Sequence, residues 1–315
     1  MYKHLQKIST VDMPREAWLE HRKTQIGGSD AAAILGLNEY VSPYTVWADK
    51  LGMIPPVDDN EAMRQGRDLE QYVAERFCEA TGKKVRRENN ILINPDFPYA
   101  HANVDRIVIG EDAGLECKTT SSLNMKKFKN GTYPDKYYVQ CVHYMMVTGA
   151  KKWYLAVLVL NRSFMWFEIE RDEDEITALA KSEEDFWKHV ESKTAPTIDG
   201  TESTTETIGA IYNESNGNSV SLFGFDNDLE TYMALTAQIK ALEALKDESA
   251  NKVKAYLENA SRGESDRYHV SWASQTRQSF DAKAFANDHP DMDLSKYYKT
   301  SNFRTFKVKE IIKEN

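Results

Sequence analysis

Residues 100–120 read AHANVDRIVIGEDAGLECKTT, and the fold turns on how this stretch is divided. Residues 110–114, GEDAG, form a turn between two apolar extended runs, 100–109 and 114–119, so the segment predicts a β-hairpin. Side chains alternate faces along a strand. Glu116 and Lys118 therefore share one face, while Leu115 and Cys117 turn into a core. The neighbouring strand brings Asp105 beside Glu116, so two carboxylates and an ammonium converge. Adjacent carboxylates repel, and one tends to keep a proton unless a cation lies between them. A hard divalent ion with oxygen ligands is the natural cation, and magnesium uses only a few carboxylates together with water and phosphate. The carbonyl of Cys117 is a candidate further ligand. Such an ion lowers the pKa of its water and stabilises charge on a phosphate in transfer. Lys118 is placed to orient that water.

Working outward, residues 61–80 predict an amphipathic helix, with Met63, Gly66, Val73 and Phe77 on one stripe and Gly82 as the left-handed cap. Glu70 aligns with the apolar side at Val73, Ala74 and Phe77. A buried acid is costly unless paired; a metal ion or Lys118 would offset that cost. Gln140 sits similarly among Tyr137, Cys141 and Tyr144 on a helix predicted over 137–147, where it would hold water or Lys118. Before these, Trp18, Leu19 and Arg22 lie on a helix leading into the loop QIGGSD at 25–30, with Ser29 or Asp30 as N-cap of a helix over 31–35. Ser42-Pro43 opens another helix. Residues 85–93 predict one extended stretch, 153–160 and 164–169 two strands, and Glu173–Glu191 a helix.

Composition then shifts. Residues 197–225 are polar and read as a linker. Beyond them, 228–260 predicts one long helix with Leu235, Leu242, Leu245 and Val253 near heptad spacing. Residues 268–274 and 303–308 predict strands of a small C-terminal unit. The expected division is 1–196, 197–225 and 226–315.

The net charge of −9 argues against a protein coated by nucleic acid but not against a local groove. Local basic runs exist at Lys83-Lys84 with Arg86-Arg87 and at Lys126-Lys127 with Lys129; a solvated surface explains them equally well. No apolar run is long enough to span a membrane, and residues 1–10 lack the apolar stretch of a secretory signal, so none is expected. Cys78, Cys117 and Cys141 show no metal-ligand spacing and read as free thiols of a reducing compartment. A cytoplasmic protein is expected. His101 and His143 have no partner at ligand spacing and read as packing or hydrogen-bonding residues.

Asp105, Glu116 and Lys118 alone are a weak signal. Taken with Trp18, Arg22, the Ile26-Gly27-Gly28-Ser29-Asp30 loop, Gly66, Glu70, Tyr137 and Gln140, the sequence resembles the lambda-type exonuclease, or YqaJ-like viral recombinase, branch of the PD-(D/E)XK nucleases over about residues 15–192. The resemblance implies an α/β fold with a mixed β-sheet flanked by helices, a restriction-endonuclease-like core, here with a helical C-terminal extension. It implies a Mg2+-dependent (or Mn2+-dependent) DNA exonuclease that digests 5′→3′ from double-stranded DNA ends and leaves 3′ overhangs. Asp105, Glu116, Glu70 and the Cys117 carbonyl would hold metal, Lys118 the nucleophilic water, with Gln140 supporting. Arg22 and Ser29 match positions that bind the 5′-phosphate, which suits a planar cation beside a helix N-terminus. It further implies a single-strand annealing partner of the RecT/Redβ type and a homo-oligomer, a ring trimer in the lambda type. Two features depart from the pattern. Asn103-Val104-Asp105-Arg106 stands where Pro-Asp-Gly is usual, with Val104 expected to pack. Residues 200–315 exceed the minimal nuclease, although Ser271-Trp272, Thr276-Arg277 and Ser279-Phe280 are similar to a tail on some prophage relatives. A structure-specific endonuclease, a non-catalytic DNA-binding factor and a structural assembly protein are the alternatives.

Overall fold

The computed structural model describes residues 4–299 and 303–311. In chain order the first unit contains β1 (Gln6–Ser9), α1 (Arg15–Lys23), α2 (Gly28–Ile34), α3 (Pro43–Lys50), α4 (Glu61–Thr81), β2 (Val85–Arg87) and β3 (Asn90–Ile93). It continues through β4 (His101–Ala102), β5 (Arg106–Val108), β6 (Ala113–Thr120), α5 (Asp135–Thr148), β7 (Lys152–Val159), β8 (Ser163–Glu170), α6 (Glu173–Glu191) and α7 (Glu202–Ile211). A kinked 3-10 segment, Ser122–Gly131, joins β6 to α5.

The main sheet has the order β2-β5-β6-β7-β8, with β6 in the middle. β5 and β6 pair antiparallel across the expected hairpin, while β6 and β7 are parallel and β7 and β8 antiparallel. The parallel pair needs a crossover, and α5 lies within it. A mixed sheet flanked by helices is the fold the sequence implied. One face packs on α4 through Val73, Ala74 and Phe77 against Leu115, Tyr154 and Ala156. The other buries Trp153, Leu155 and Val157 with Val142, Met145 and Met146 of α5. Alternation along β7 thus supplies both layers. Gly114 is required at the centre of the sheet: a Cβ there would lie 2.2 Å from the Trp153 ring.

Several expectations are corrected. Residues 85–93 are not one strand: β2 joins the main sheet, whereas β3 joins a smaller one of order β1-β3-β4. Residues 100–109 divide likewise into β4 and β5. The chain changes sheets at Asn103–Asp105, which takes Asp105 out of the ladder. Gly27, not Ser29 or Asp30, is the N-cap of α2, and the Asp30 carboxylate accepts from the Gly27 N–H at 2.9 Å. Ser42 caps α3 as expected, with Pro43 in the first turn. The segment read as a linker contains α7, whose Thr204 is buried and donates to Ser42 Oγ at 2.7 Å. Its apolar anchors are only Ile208 and Ile211, and the rest of its docking face is made of hydroxyls. The first unit consequently runs to Tyr212 and the second begins at Asn213.

The second unit contains α8 (Asp226–Leu257), the hairpin β9 (Arg262–Glu264) with β10 (His269–Ser271), and α9 (Ala282–Asp288). No residue of α8 is buried. Residues 303–308 form no strand; Phe306 instead meets Tyr232 of α8 edge-on, with ring centres 5.3 Å apart.

His143 on α5 ties the first unit together. Its Nδ1 lies 2.7 Å from Glu183 Oε1 on α6 and its Nε2 2.9 Å from the carbonyl oxygen of His101 on β4. Both side chains of the pair are fully buried. Burial pulls the imidazole pKa down, but the charge and hydrogen bond of Glu183 and the His101 carbonyl outweigh it, so the net shift is upward. A raised folded-state value means that this contribution is fully present below about pH 6.5 and is lost as pH rises through the raised value. Unfolding of wild type and Glu183→Gln by urea across about pH 5–9, roughly two units either side of neutrality, checks this. The stability difference is expected to shrink as pH rises; a pH-independent difference would mean that the imidazole is neutral throughout.

Candidate active site

The site forms where the β5–β6 ladder ends. Arg106 and Leu115 are the last paired residues, so Asp105 and Glu116 are the next positions on the two strands. Released from the ladder, Asp105 uses its Oδ2 to accept the Cys117 N–H at 2.8 Å. The N–H and C=O of a strand residue point to the same side, so the Cys117 carbonyl also faces this opening rather than β7. Val104 packs in the core, as expected for the position before the acid.

Glu116 is buried. Its Oε1 accepts from Gln140 Nε2 at 2.8 Å and pairs with Lys118 Nζ at 2.6 Å. Its Oε2 is buried with no partner. Gln140 therefore holds Glu116 and the Tyr144 hydroxyl rather than Lys118. Lys118 lies over the Tyr137 ring at 5.3 Å. Burial raises the Asp105 carboxyl well above its ordinary value, and the charges of Glu116 and Glu70 add to the rise. For Lys118 burial works downward, but Glu116 and then Asp105 outweigh it, and the ammonium is held more firmly than in water.

Glu70 is partnered by neither Lys118 nor a second carboxylate. Arg106, itself buried, pairs with it, and also donates to the Asp105 carbonyl at 2.7 Å and to Gln71 at 3.0 Å. Arg106 is the residue that sequence reading missed. Its signal was present as the departure at the position where glycine is usual, immediately after the acid.

The second group of expected residues also assembles. Arg22 Nη2 donates to Ser29 Oγ at 2.7 Å, and the guanidinium stacks over Trp18 at 5.0 Å. Asp30 receives Lys50 at 2.6 Å and Arg22 at 3.5 Å. Burial alone would raise the Asp30 carboxyl, but Lys50 and Arg22 outweigh it and hold it well below the usual range. Asp49 is a second carboxylate of this cluster, so the charges of Lys50 and Arg22 are largely balanced; the Arg22 guanidinium beside Ser29 is the group suited to an anion. The two groups touch: a Cβ on Gly28 would lie 2.6 Å from the Tyr144 ring and 3.2 Å from Gln140. Glycine is required where α2 meets the side chain that holds Glu116. A cleft of about 190 Å³ runs from Trp18 to Glu70, Asp105 and Arg106.

The donor set fits a divalent cation. An orphaned buried carboxylate oxygen, a second carboxylate destabilised in its charged form and a carbonyl turned to the same opening are hard oxygen donors. Glu70 is the looser member, since Arg106 neutralises it. Among the described residues, no three His, Cys, Asp or Glu side chains stand close enough to form a ready-made cage. Magnesium tolerates such a site, completing its shell with water and phosphate.

This geometry defines an α/β protein with an acid–lysine centre at the open end of a mixed sheet. Residues 17–151 match the YqaJ-like viral recombinase domain. Protein YqaJ of Bacillus subtilis strain 168 is 37% identical over 306 residues, covering 95% of this chain and 96% of that protein. The chain belongs to the YqaJ-like viral recombinase family. A shorter stretch is similar to protein D345L of African swine fever virus (Badajoz 1971, Vero-adapted), 38% identical over 69 residues, or 21% of this chain and 20% of that one. Among solved structures, the chain is similar to the alkaline exonuclease LHK-Exo of Laribacter hongkongensis, with TM-score 0.48 and 19% identity over 56% of this chain and 93% of that one. It is also similar to a phage related exonuclease of Haemophilus somnus 129PT, with TM-score 0.41 and 12% identity over 54% and 96% of the two chains.

The raised Asp105 carboxyl is a penalty on the metal-free fold that grows as pH rises from about 3.9. Asp105→Asn keeps an oxygen for the Cys117 N–H and removes the repulsion. In chelator at neutral pH this variant is expected to be more stable than wild type by about 1–2 kcal/mol, and added Mg2+ should stabilise wild type but not the variant. Thermal melts with and without the ion check both, and a destabilised variant in chelator would show that Asp105 is held charged by its neighbours.

Proposed function

We propose that this protein is a Mg2+-dependent DNA exonuclease that digests linear duplex DNA 5′→3′ and leaves 3′ single-strand overhangs for recombination by strand annealing. The observation that carries the reading is the convergence of Asp105, the unpartnered oxygen of Glu116 and Lys118 at the end of the β5–β6 ladder. Arg22 with Ser29 beside it supports an end-binding enzyme over one that cuts internally.

Asp105, Glu116 and the Cys117 carbonyl would hold the ion, with Glu70 reaching it only by loosening from Arg106. Bound there, it would activate water and neutralise charge on the phosphate. Lys118 holds its proton and orients the attacking water while offsetting charge that develops on the phosphate oxygens. Gln140 fixes Glu116 so that its second oxygen stays directed at the opening. Arg22 and Ser29 receive the terminal 5′-phosphate and set which bond reaches Lys118. In this reading the protein works with a single-strand annealing protein of the RecT/Redβ type and assembles as a homo-oligomer, so that several subunits enclose the DNA despite the acidic net charge of −9. No helix among the described residues is long and apolar enough to cross a membrane, and a cytoplasmic site of action is part of the same proposal.

The test is digestion of linear duplex, end-labelled on either strand, with Mg2+ or chelator, beside a closed circle. Mg2+-dependent loss of the 5′ strand from linear DNA alone is expected. Cutting of the circle would point to an endonuclease. Lys118→Ala should lower the rate at least about 100-fold while the folded protein still binds DNA; a fall in both together would make the lysine structural. Arg22→Ala should cost about ten-fold in the preference for 5′-phosphorylated over 5′-hydroxyl ends, and an unchanged ratio would remove its assigned role.

A further inference from the structure

Beyond the catalytic group, cations and aromatic rings continue outward in a ladder. Tyr137 is shared between Lys118, at 5.3 Å from its ring centre, and Lys136, at 5.8 Å on the way out. Lys136 in turn lies 4.3 Å from the ring of Tyr40, which is 65% exposed in the loop between α2 and α3. Lys127, on the 3-10 segment that follows β6, closes the group. A single carboxylate oxygen, Glu39 Oε1, bridges the two lysines at 2.8 Å from Lys127 and 3.5 Å from Lys136. One carboxylate thus faces two ammoniums at the surface, with Lys118 a ring away. Burial pulls the Lys136 ammonium below its ordinary value; Glu39 opposes this, while Lys127 and Lys118 pull the same way. The group is short of negative charge.

We propose that Lys127, Lys136 and Tyr40 form a seat for single-stranded DNA, in which a phosphate replaces the Glu39 carboxylate between the two lysines and a base stacks on Tyr40. The seat rests on the nuclease reading for its use, because the ladder begins at Lys118, but not for its binding chemistry. The bridging carboxylate oxygen marks where one oxygen of a phosphate fits between two ammoniums. An exposed ring beside the phosphate position is the combination that holds unpaired strands, since every base has a face to stack and a duplex keeps its bases stacked on each other. Glu39 is then a competitor that keeps the lysines paired until a strand arrives. The basic run at Lys126, Lys127 and Lys129, for which the sequence left a nucleic-acid groove and a solvated surface equally open, contributes Lys127 to this seat.

The test is binding of a fluorescent oligothymidine to the full-length protein in chelator, read by anisotropy across a salt series. Tyr40→Ala should weaken binding about ten-fold, with Tyr40→Trp restoring it. The pair Lys127→Gln with Lys136→Gln should flatten the log–log salt slope by about 0.7, the value for the one phosphate seated between them. Glu39→Gln should tighten binding about two- to five-fold. An unchanged affinity in Tyr40→Ala together with an unchanged slope in the double variant would overturn the seat, and equal losses on blunt duplex would overturn its assignment to single strands. Digestion of linear duplex by wild type with Mg2+, run in parallel, separates the two readings. Seat effects without digestion remove the nuclease and keep the seat; digestion without seat effects does the reverse.

Discussion

Asp105 is held beside Glu116 where burial and the charges of Glu116 and Glu70 all oppose its own charge. The folded chain accepts that cost because nearby groups divide the charge among themselves. Lys118 and Gln140 take one oxygen of Glu116 and leave the other bare. Arg106 neutralises Glu70 and braces the Asp105 carbonyl. Buried charges that are paired on one side and open on the other are poor stabilisers, but their oxygens are of the kind a hard cation takes. The sheet, with its helices on both faces, supplies the packing that outweighs this local penalty.

The position of the site follows from where strands stop pairing. Had β4 and β5 run as one strand, Asp105 would lie within a ladder and the opening beside Cys117 would be closed. The chain instead crosses between sheets at Asn103–Asp105, and the freed acid satisfies the Cys117 N–H that the missing ladder partner leaves. A local interruption of secondary structure thus opens the sheet beside Cys117, and the backbone N–H it exposes is satisfied by the Asp105 side chain itself.

Glycine joins the two halves of the site. Gly28 allows α2 to approach Tyr144 and Gln140 closely, which places Ser29, the hydrogen-bond partner of Arg22, on a helix that rests against the side chain holding Glu116. In a duplex-end enzyme such rigid linkage would fix the distance between the phosphate seat and the scissile bond. Lys118, Tyr137, Lys136 and Tyr40 extend the same chain of contacts outward.

Local signals determined much of this protein. The period of 2 in 114–119 put Glu116 and Lys118 on one face, the turn at 110–114 set the hairpin, helical spacing marked α4 and α6, and the Ser42-Pro43 cap placed α3. These rest on interactions within a few residues, so they are legible without the fold. Only the tertiary structure decided partners. That Glu70 meets Arg106, that Gln140 holds Glu116, that 85–93 and 100–109 divide between two sheets, and that α7 docks by hydroxyls across more than 150 residues all depend on long-range packing. A side chain's type and spacing state what it can bind, whereas its actual partner is set by whichever distant group the packed core brings within hydrogen-bonding reach.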